Sequence, residues 1–292
     1  MSMFTQRVVE EASVMKMRSL LFVPGDRPER FAKAASSGAD AIILDLEDSV
    51  SLLKKSLART AVANYLREPR QAITFVRINP LDSEFISDDL SAILLSSPDG
   101  IVLPKAEGAI SIGKLLSLTG KQQIPILPIA TETPAAIFEL GSYQAVSDAL
   151  AGLTWGAEDL PAAIGAATSR KSDGSYTSPY EMVRALTLFG AHAANVCAID
   201  TVFPDIKNSG ALERYARDSA RDGFTGMMAI HPSQVAIINA AFSPSQSEVA
   251  WAQSVVTAFA EHPEAGVLEL DGRMIDKPHF DQAQKILKKV NL

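Results

Sequence analysis

Cysteine is nearly missing from this chain: Cys197 is the only one in 292 residues. An internal disulfide is impossible, as is a cysteine-built metal cluster, and a reducing cytoplasm is the compartment that suits such a chain. Cys197 lies in the apolar run "NVCAIDTVF", where a buried, inert thiol is expected rather than a nucleophile. Membrane-length apolar runs are missing too; none approaches the ~20 residues that cross a bilayer. Residues 1–17 include Glu10 and Glu11 and lack an apolar signal core. They read as a poorly ordered leader, not a secretory signal. Positive charge is in deficit, with 27 Lys and Arg against 34 Asp and Glu and a net charge of −7. That excludes general binding to nucleic acid or anionic membranes, although a few placed cations can still hold an anion.

What is present is an ordinary globular composition, 47% apolar and 21% charged, enough for a large core. Short β-rich runs at 19–25, 41–47, 74–79, 100–107, 126–133, 149–160, 198–205 and 226–232 alternate with helical patterns. The helical patterns fall near 28–37, 52–67, 84–95, 109–118, 134–140, 179–195, 210–221 and 233–240. Alternation of this kind implies βαβ units and a parallel sheet. Eight units in about 220 residues predict an α/β fold of the (β/α)8 TIM-barrel type over residues 18–242. An open doubly wound sheet is the runner-up, but no Gly-rich dinucleotide turn follows the first strand. The irregular stretch 161–179 is a candidate lid. Beyond it, residues 243–292 read as a C-terminal extension, with a helix near 246–261, the segment 266–278 and a last helix near 279–290. In that segment Gly272 and Pro278 fence a short turn, and Met274 and Ile275 are expected to anchor it by burial. "GAISIGKL" (108–115) comes close to a phosphate-binding loop, but Leu115 stands where a hydroxyl is needed, and a surface helix suits it better.

In a barrel of parallel strands, every strand delivers its C-terminal end to one face, where chemistry is carried out. Those ends carry Asp45, Glu47, Asp48, Arg77, Asn79, Lys105, Glu107, Glu132, Glu158, Asp159, Asp205 and His231. So many carboxylates at short range need a compensating charge. Oxygen ligands without cysteine point to Mg²⁺ or Mn²⁺, and Glu132 with Asp159 is the best pair. Arg77 suits a two-point clamp on a substrate carboxylate, with Lys105 the other cation able to take it. Against these stand plainer roles. Asp45, Asp48 and Asp205 can cap helices or form ion pairs, Lys105 and Glu107 can pair with each other, and His231 before Pro232 suits a structural hydrogen bond.

"RSLLFVPGDRPERFAKA", "DAIILDLEDSV", "VRINP", "IVLPKAE", "PIATETPAAI", "TWGAEDL" and "GFTGMMAIHPSQVAIINAAFSPS" resemble, in order, the citrate lyase beta subunit and malyl-CoA lyase family of the HpcH/HpaI aldolase superfamily. The resemblance implies a homotrimeric TIM barrel with Mg²⁺ held by Glu132 and Asp159. Arg77 would bind the substrate carboxylate, with Glu132 facing the same substrate, and Glu47 would support metal-bound water. Arg30 and Lys33 would meet coenzyme A phosphates, and Phe22 takes a position that is aromatic in related enzymes. Asp276 of "MID" would reach a neighbouring subunit's site to exchange a proton with the acyl-CoA methyl carbon, making the extension a lid on that neighbour. The implied reaction splits or makes a 3-hydroxyacyl-CoA, with acetyl-CoA and a 2-keto acid as partners. "GAEDLPAAIGAATS" resembles stand-alone malyl- or citramalyl-CoA lyases. A citrate lyase beta subunit, a malyl-CoA thioesterase or malate synthase, and a non-catalytic CoA-ester-binding protein are the alternatives.

Overall fold

The run "AIILD" forms a strand buried at all five positions. A strand must be so when helices cover one face and a barrel interior the other. The computed structural model describes residues 15–120 and 122–290. Its parallel strands are β1 (Ser19–Pro24), β2 (Ala41–Asp45), β3 (Ile73–Arg77), β4 (Gly100–Leu103), β5 (Ile126–Pro128), β6 (Gly152–Thr154), β7 (Cys197–Asp200) and β8 (Gly226–Ala229). They lie in the order β5-β4-β3-β2-β1-β8-β7-β6. The two ends of that order meet through bridges Ile126↔Leu150 and Ile129↔Thr154. Hydrogen bonds from Ala151 N to Ile126 O (2.8 Å) and from Ala130 N to Thr154 O (2.9 Å) close the ring. The fold is the expected TIM barrel.

Around it run α1 (Phe31–Ala35), α2 (Lys55–Arg67), α3 (Ile86–Leu94), α4 (Gly108–Leu118), α5 (Pro134–Phe138), α6 (Asp159–Ile164), α7 (Ser178–Ala193), α8 (Ser209–Asp222) and α9 (Pro232–Ala241). The near-phosphate-loop stretch lies in α4, as its helical pattern predicts. Cys197 opens β7 and is half-buried. No helix among the described residues is long and apolar enough to cross a membrane. Residues 1–14 of the expected leader lie outside the described residues; Met17 is already buried.

Two expectations need correction. The strands are shorter than predicted: β5 ends at Pro128 and β6 at Thr154, because the extended chain beyond them leaves the ladder to present side chains at the rim. The stretch 161–179 is also less irregular than expected. It holds most of α6 and a turn bridged at Arg170↔Tyr176. There the Arg170 guanidinium lies 4.1 Å from the Tyr176 ring centre and donates to its hydroxyl at 2.6 Å.

Asp200, at the end of β7, is fully buried and ties three elements together. Its Oδ1 accepts from Trp155 Nε1 (2.7 Å) and Tyr215 Oη (3.0 Å). Its Oδ2 accepts from Arg184 Nε (3.0 Å) and Nη2 (2.8 Å) and from Ser219 Oγ (2.6 Å). The chain from Trp155 to Asp159 is thereby fixed to α7 and α8.

A second unit starts at Ser243. It contains α10 (Gln246–Glu261), an antiparallel hairpin of β9 (Val267–Leu270) and β10 (Arg273–Asp276), and α11 (Lys277–Val290). Ser245 and Glu248 form a capping box at the start of α10. Ala252, Val255, Ile275 and Ala283 make its core, with Phe259 edge-on to Phe280 at 5.3 Å. Asp271 and Gly272 have φ of 50° and 75°, which is the hairpin turn an Asp-Gly pair favours. Gly272 therefore lies inside the turn, and Pro278 lies in α11. Of Met274 and Ile275, both expected to anchor the segment, only Ile275 is buried; Met274 is 67% exposed, since neighbours on a strand face opposite ways.

Asp200→Asn removes the central charge and leaves Arg184 with Asp222 alone (2.9 Å). Urea denaturation should show a loss of about 3 kcal/mol or more. A loss under about 1 kcal/mol would show that the network contributes little.

Candidate active site

The acids of β2 and the arginine of β3 build the centre of the rim. Asp45 and Arg77 are register partners on adjacent strands. Arg77 Nε and Nη2 each donate to Asp45, both at 2.7 Å. Arg77 Nη1 lies 2.8 Å from Glu47 Oε2, and its guanidinium sits 4.9 Å from the Phe22 ring centre. Asp45 also accepts from Glu47 N (2.9 Å) and Ser49 N (3.1 Å). Burial alone would push the Asp45 carboxyl up, but the adjacent Arg77 charge holds it below its usual range. Burial would likewise lower Arg77, and the Asp45 and Glu47 charges overcome it and raise the guanidinium. Of the five N–H donors of an arginine, Asp45 takes two and Glu47 faces a third. One N–H remains on each of Nη1 and Nη2. The side-on edge expected to clamp a substrate is thus already used by Asp45, and the outward end is what is left.

Beneath this pair lies Lys55, buried at the start of α2. Its ammonium donates to Leu46 O (2.7 Å), Glu47 O (2.8 Å) and Asn79 Oδ1 (2.7 Å). Burial lowers its pKa. Nothing in the sequence pattern marks it, because its partners are distant carbonyls.

Lys105 joins the remaining acids. Its φ of 50° is left-handed, a strained setting for a side-chain-bearing residue. That turn aims its backbone N–H at Glu132 Oε2 (2.6 Å). Its ammonium lies 3.0 Å from Glu47 Oε1 and 3.4 Å from Asp159 Oδ1. Burial would lower the ammonium's pKa, but Glu47, Glu132 and Asp159 raise it instead. The expected pairing of Lys105 with Glu107 is therefore not formed; Glu107 accepts from Thr133 Oγ1 at 2.7 Å. Glu132 is pushed up to about 8, first by burial and then by Glu47 and Asp159, against the pull of Lys105. Glu47 is also raised by burial, against Arg77 and Lys105. Its Oε2 is buried with no hydrogen bond, since the 2.8 Å contact to Arg77 is an ion pair without hydrogen-bond alignment.

Asp48 and Asp205 are exposed; Asp48 acts on Glu47 through its charge alone. The strand-end acid of β7 that binds its surroundings is Asp200, which the same apolar-run-then-acid signal in "CAID" marks. His231 accepts from Ser233 N at 3.2 Å at the start of α9, the structural role expected. Arg30 and Lys33 are exposed beyond β1, and Arg30 meets Glu29 at 4.0 Å. Asp276 lies in the second unit, with His279 Nδ1 2.6 Å from its Oδ1.

The oxygen donors fit a hard divalent cation. Glu132 is buried among like charges, and Gly156 keeps a space open beside it, since a Cβ there would lie 3.2 Å from Glu132 Oε1. Among the described residues no three His, Cys, Asp or Glu side chains gather into a complete cage. Two carboxylates, Glu132 and Asp159, with substrate and water making up the rest, is the pattern Mg²⁺ takes.

Fold and rim together define a (β/α)8 barrel with an acid-lined rim. A family model described as HpcH/HpaI aldolase/citrate lyase matches residues 18–232, and one described as a C–C bond lyase of the TIM-barrel fold matches 177–292. The chain belongs to the HpcH/HpaI aldolase/citrate lyase family. A citrate lyase subunit beta-like protein of Mycobacterium tuberculosis is 37% identical over 269 residues, covering 92% of this chain and 94% of that protein. The mitochondrial citramalyl-CoA lyase of Rattus norvegicus is 31% identical over 295 residues, covering 92% and 85%. The solved structure of the M. tuberculosis protein CitE, in complex with magnesium, acetoacetate and coenzyme A, aligns with a TM-score of 0.82 at 35% identity, covering 95% of this chain and 99% of that one.

Glu132 sets a pH dependence in protein stripped of divalent cations. Its carboxyl ionises near 4.5 when unfolded and near about 8 when folded. The stabilisation from this group is fully present below pH 4.5 and is lost as pH rises through about 8. Melting temperatures in chelator from pH 5 to pH 8 should therefore fall more for the wild type than for Glu132→Gln; parallel curves would contradict the assignment.

Proposed function

We propose that this chain is a Mg²⁺-dependent carbon–carbon lyase. It cleaves, or forms, a 3-hydroxyacyl-CoA such as malyl-CoA or citramalyl-CoA, with acetyl-CoA and a 2-keto acid on the other side. The observation that carries this is Glu132, a buried carboxylate near about 8 beside Asp159 and Glu47, which calls for a cation. Similarity to a citramalyl-CoA lyase, and to a structure named for magnesium and coenzyme A, supports the same reading.

Glu132 and Asp159 would hold the Mg²⁺, which supplies Lewis acidity toward the oxygen that becomes the keto carbonyl. The outward N–H groups of Arg77 take the substrate carboxylate, and Asp45 and Phe22 keep the guanidinium facing it. Glu47 Oε2, with its lone pair unused, accepts from water or the substrate hydroxyl. Lys105 supplies the positive charge between Glu47 and Asp159. In cleavage the C2–C3 bond breaks, the hydroxyl gives up its proton, and the enolate of the thioester fragment is protonated to acetyl-CoA. Asp276 of a neighbouring copy exchanges that proton, with the C-terminal unit as lid. Arg30 and Lys33, three apart and both exposed, suit the coenzyme A phosphates. The exposed apolar residues Met182, Leu186 and Phe189 on α7 support an interface between copies, which the homotrimer implied by the family resemblance would use, and the single cysteine suits a cytoplasmic setting.

The test is incubation with Mg²⁺ and malyl-, methylmalyl-, citramalyl- and citryl-CoA, with products identified by mass. One free CoA ester should be split to a keto acid and acyl-CoA. Glu132→Gln and Asp159→Asn should abolish this while circular dichroism shows the barrel intact. Turnover that persists in excess chelator would sink the proposal.

A further inference from the structure

Outside the barrel rim, one titratable pair is built with short geometry. Asp276 ends β10 and His279 lies in the first turn of α11. His279 Nδ1 is 2.6 Å from Asp276 Oδ1, and Asp276 N is 3.3 Å from the same nitrogen. One nitrogen cannot donate to the carboxylate and accept from the amide at once. The shorter contact takes the proton, so Nδ1 carries hydrogen and donates to Oδ1.

The bland reading is a helix cap, in which the carboxylate accepts from the first-turn backbone. Pro278 has no N–H to give, and although the backbone N–H of His279 also lowers the Asp276 carboxyl, the His279 side chain acts on it more strongly. The carboxylate is held chiefly by the imidazole, through Oδ1. Both residues stay open to solvent on one side, with side chains 34% and 41% exposed. Their backbones are nevertheless anchored. Ile275 on one side is buried, Phe280 on the other packs on Phe259, and the β9 pairing sets Asp276 opposite Val267.

The charged groups of the flanking segments are Glu269 and Arg273 in the hairpin and Lys277 and Asp281 in α11. Lys277 is turned to Asp281 (3.1 Å). His279 is the partner that acts on Asp276, and its hydrogen bond holds the carboxyl below the usual range.

We infer that His279 is the positioning residue of Asp276: its Nδ1–H fixes the carboxylate in one orientation through Oδ1, so that Oδ2 is presented as the proton acceptor. This rests on the reading of Asp276 as the group that exchanges the acetyl-CoA methyl proton. In that step the C–H bond breaks, its proton passes to Oδ2, the electron pair stays on carbon as the enolate, and the reverse transfer returns a solvent-derived proton. His279 remains a hydrogen-bond donor throughout.

The experiment follows deuterium entering the methyl group of acetyl-CoA, in the full-length protein with Mg²⁺, across pH. His279→Leu removes the donor. His279→Asn restores one, because the amide nitrogen of asparagine occupies the place of Nδ1. The Leu variant should exchange about tenfold or more slowly, with its acidic limb moved to higher pH. The Asn variant should recover most of the rate, and both should keep wild-type Mg²⁺ affinity. A Leu variant with the wild-type rate and limb overturns the inference, as does an Asn variant as slow as Leu. Asp276→Asn separates the two claims. Wild-type exchange there overturns the reading of Asp276 itself, whereas loss of exchange there beside a normal Leu variant overturns only the role of His279.

Discussion

Arg77 is a buried cation between two buried carboxylates, and the rim is arranged around it. Asp45 and Glu47 would repel each other and lose their hydration if Arg77 were absent. Breaking a pair of this kind costs about 3–5 kcal/mol, because it strands a charge without water. Replacing the whole set with apolar side chains of similar volume would often be neutral or favourable. Stability therefore gives no reason for three charges here, while a site that must grip a carboxylate does.

The same logic extends outward in layers of alternating sign. Lys55 lies below and satisfies the carbonyls of Leu46 and Glu47. Lys105 lies beyond Glu47 and links it to Asp159, and a left-handed backbone turn lets the same residue hold Glu132 through its amide. Burial outweighs the neighbouring cations at Glu47 and most of all at Glu132, whose carboxyl is pushed up to about 8. That local excess of negative charge, rather than any count of acids, is what supports the proposed cation site. On the far side, Asp200 anchors Trp155 and so the start of the segment carrying Asp159.

Much of this was legible in the sequence. The eight strands, the helices between them, and Glu132, Asp159, Arg77 and Glu47 all follow from apolar runs that end in charge. What was not legible depends on contacts between distant residues. Asp45 reads as a cap or a ligand until its register with Arg77 is known. Lys55 looks like any helix-surface lysine. Lys105 gives no sign of its positive φ, and Asp205 drew attention that Asp200 merited on the same pattern. Strand ends ran long because extended chain and hydrogen-bonded strand share one residue preference. In the hairpin, burial was assigned to Met274 as well as Ile275 although alternation allows only one.

The dependence of the site on the Asp45–Arg77 pair is open to direct measurement by calorimetric titration of pyruvate into Mg²⁺-loaded protein, wild type and Asp45→Asn. Asparagine keeps the size of the side chain but gives up the bidentate hold on Arg77. Folded Asp45→Asn, verified by circular dichroism, should bind the keto acid about tenfold or more weakly, roughly 1.4 kcal/mol, with Mg²⁺ affinity unchanged. Wild-type pyruvate affinity in that variant would show that Arg77 needs no such hold and that the carboxylate is gripped elsewhere.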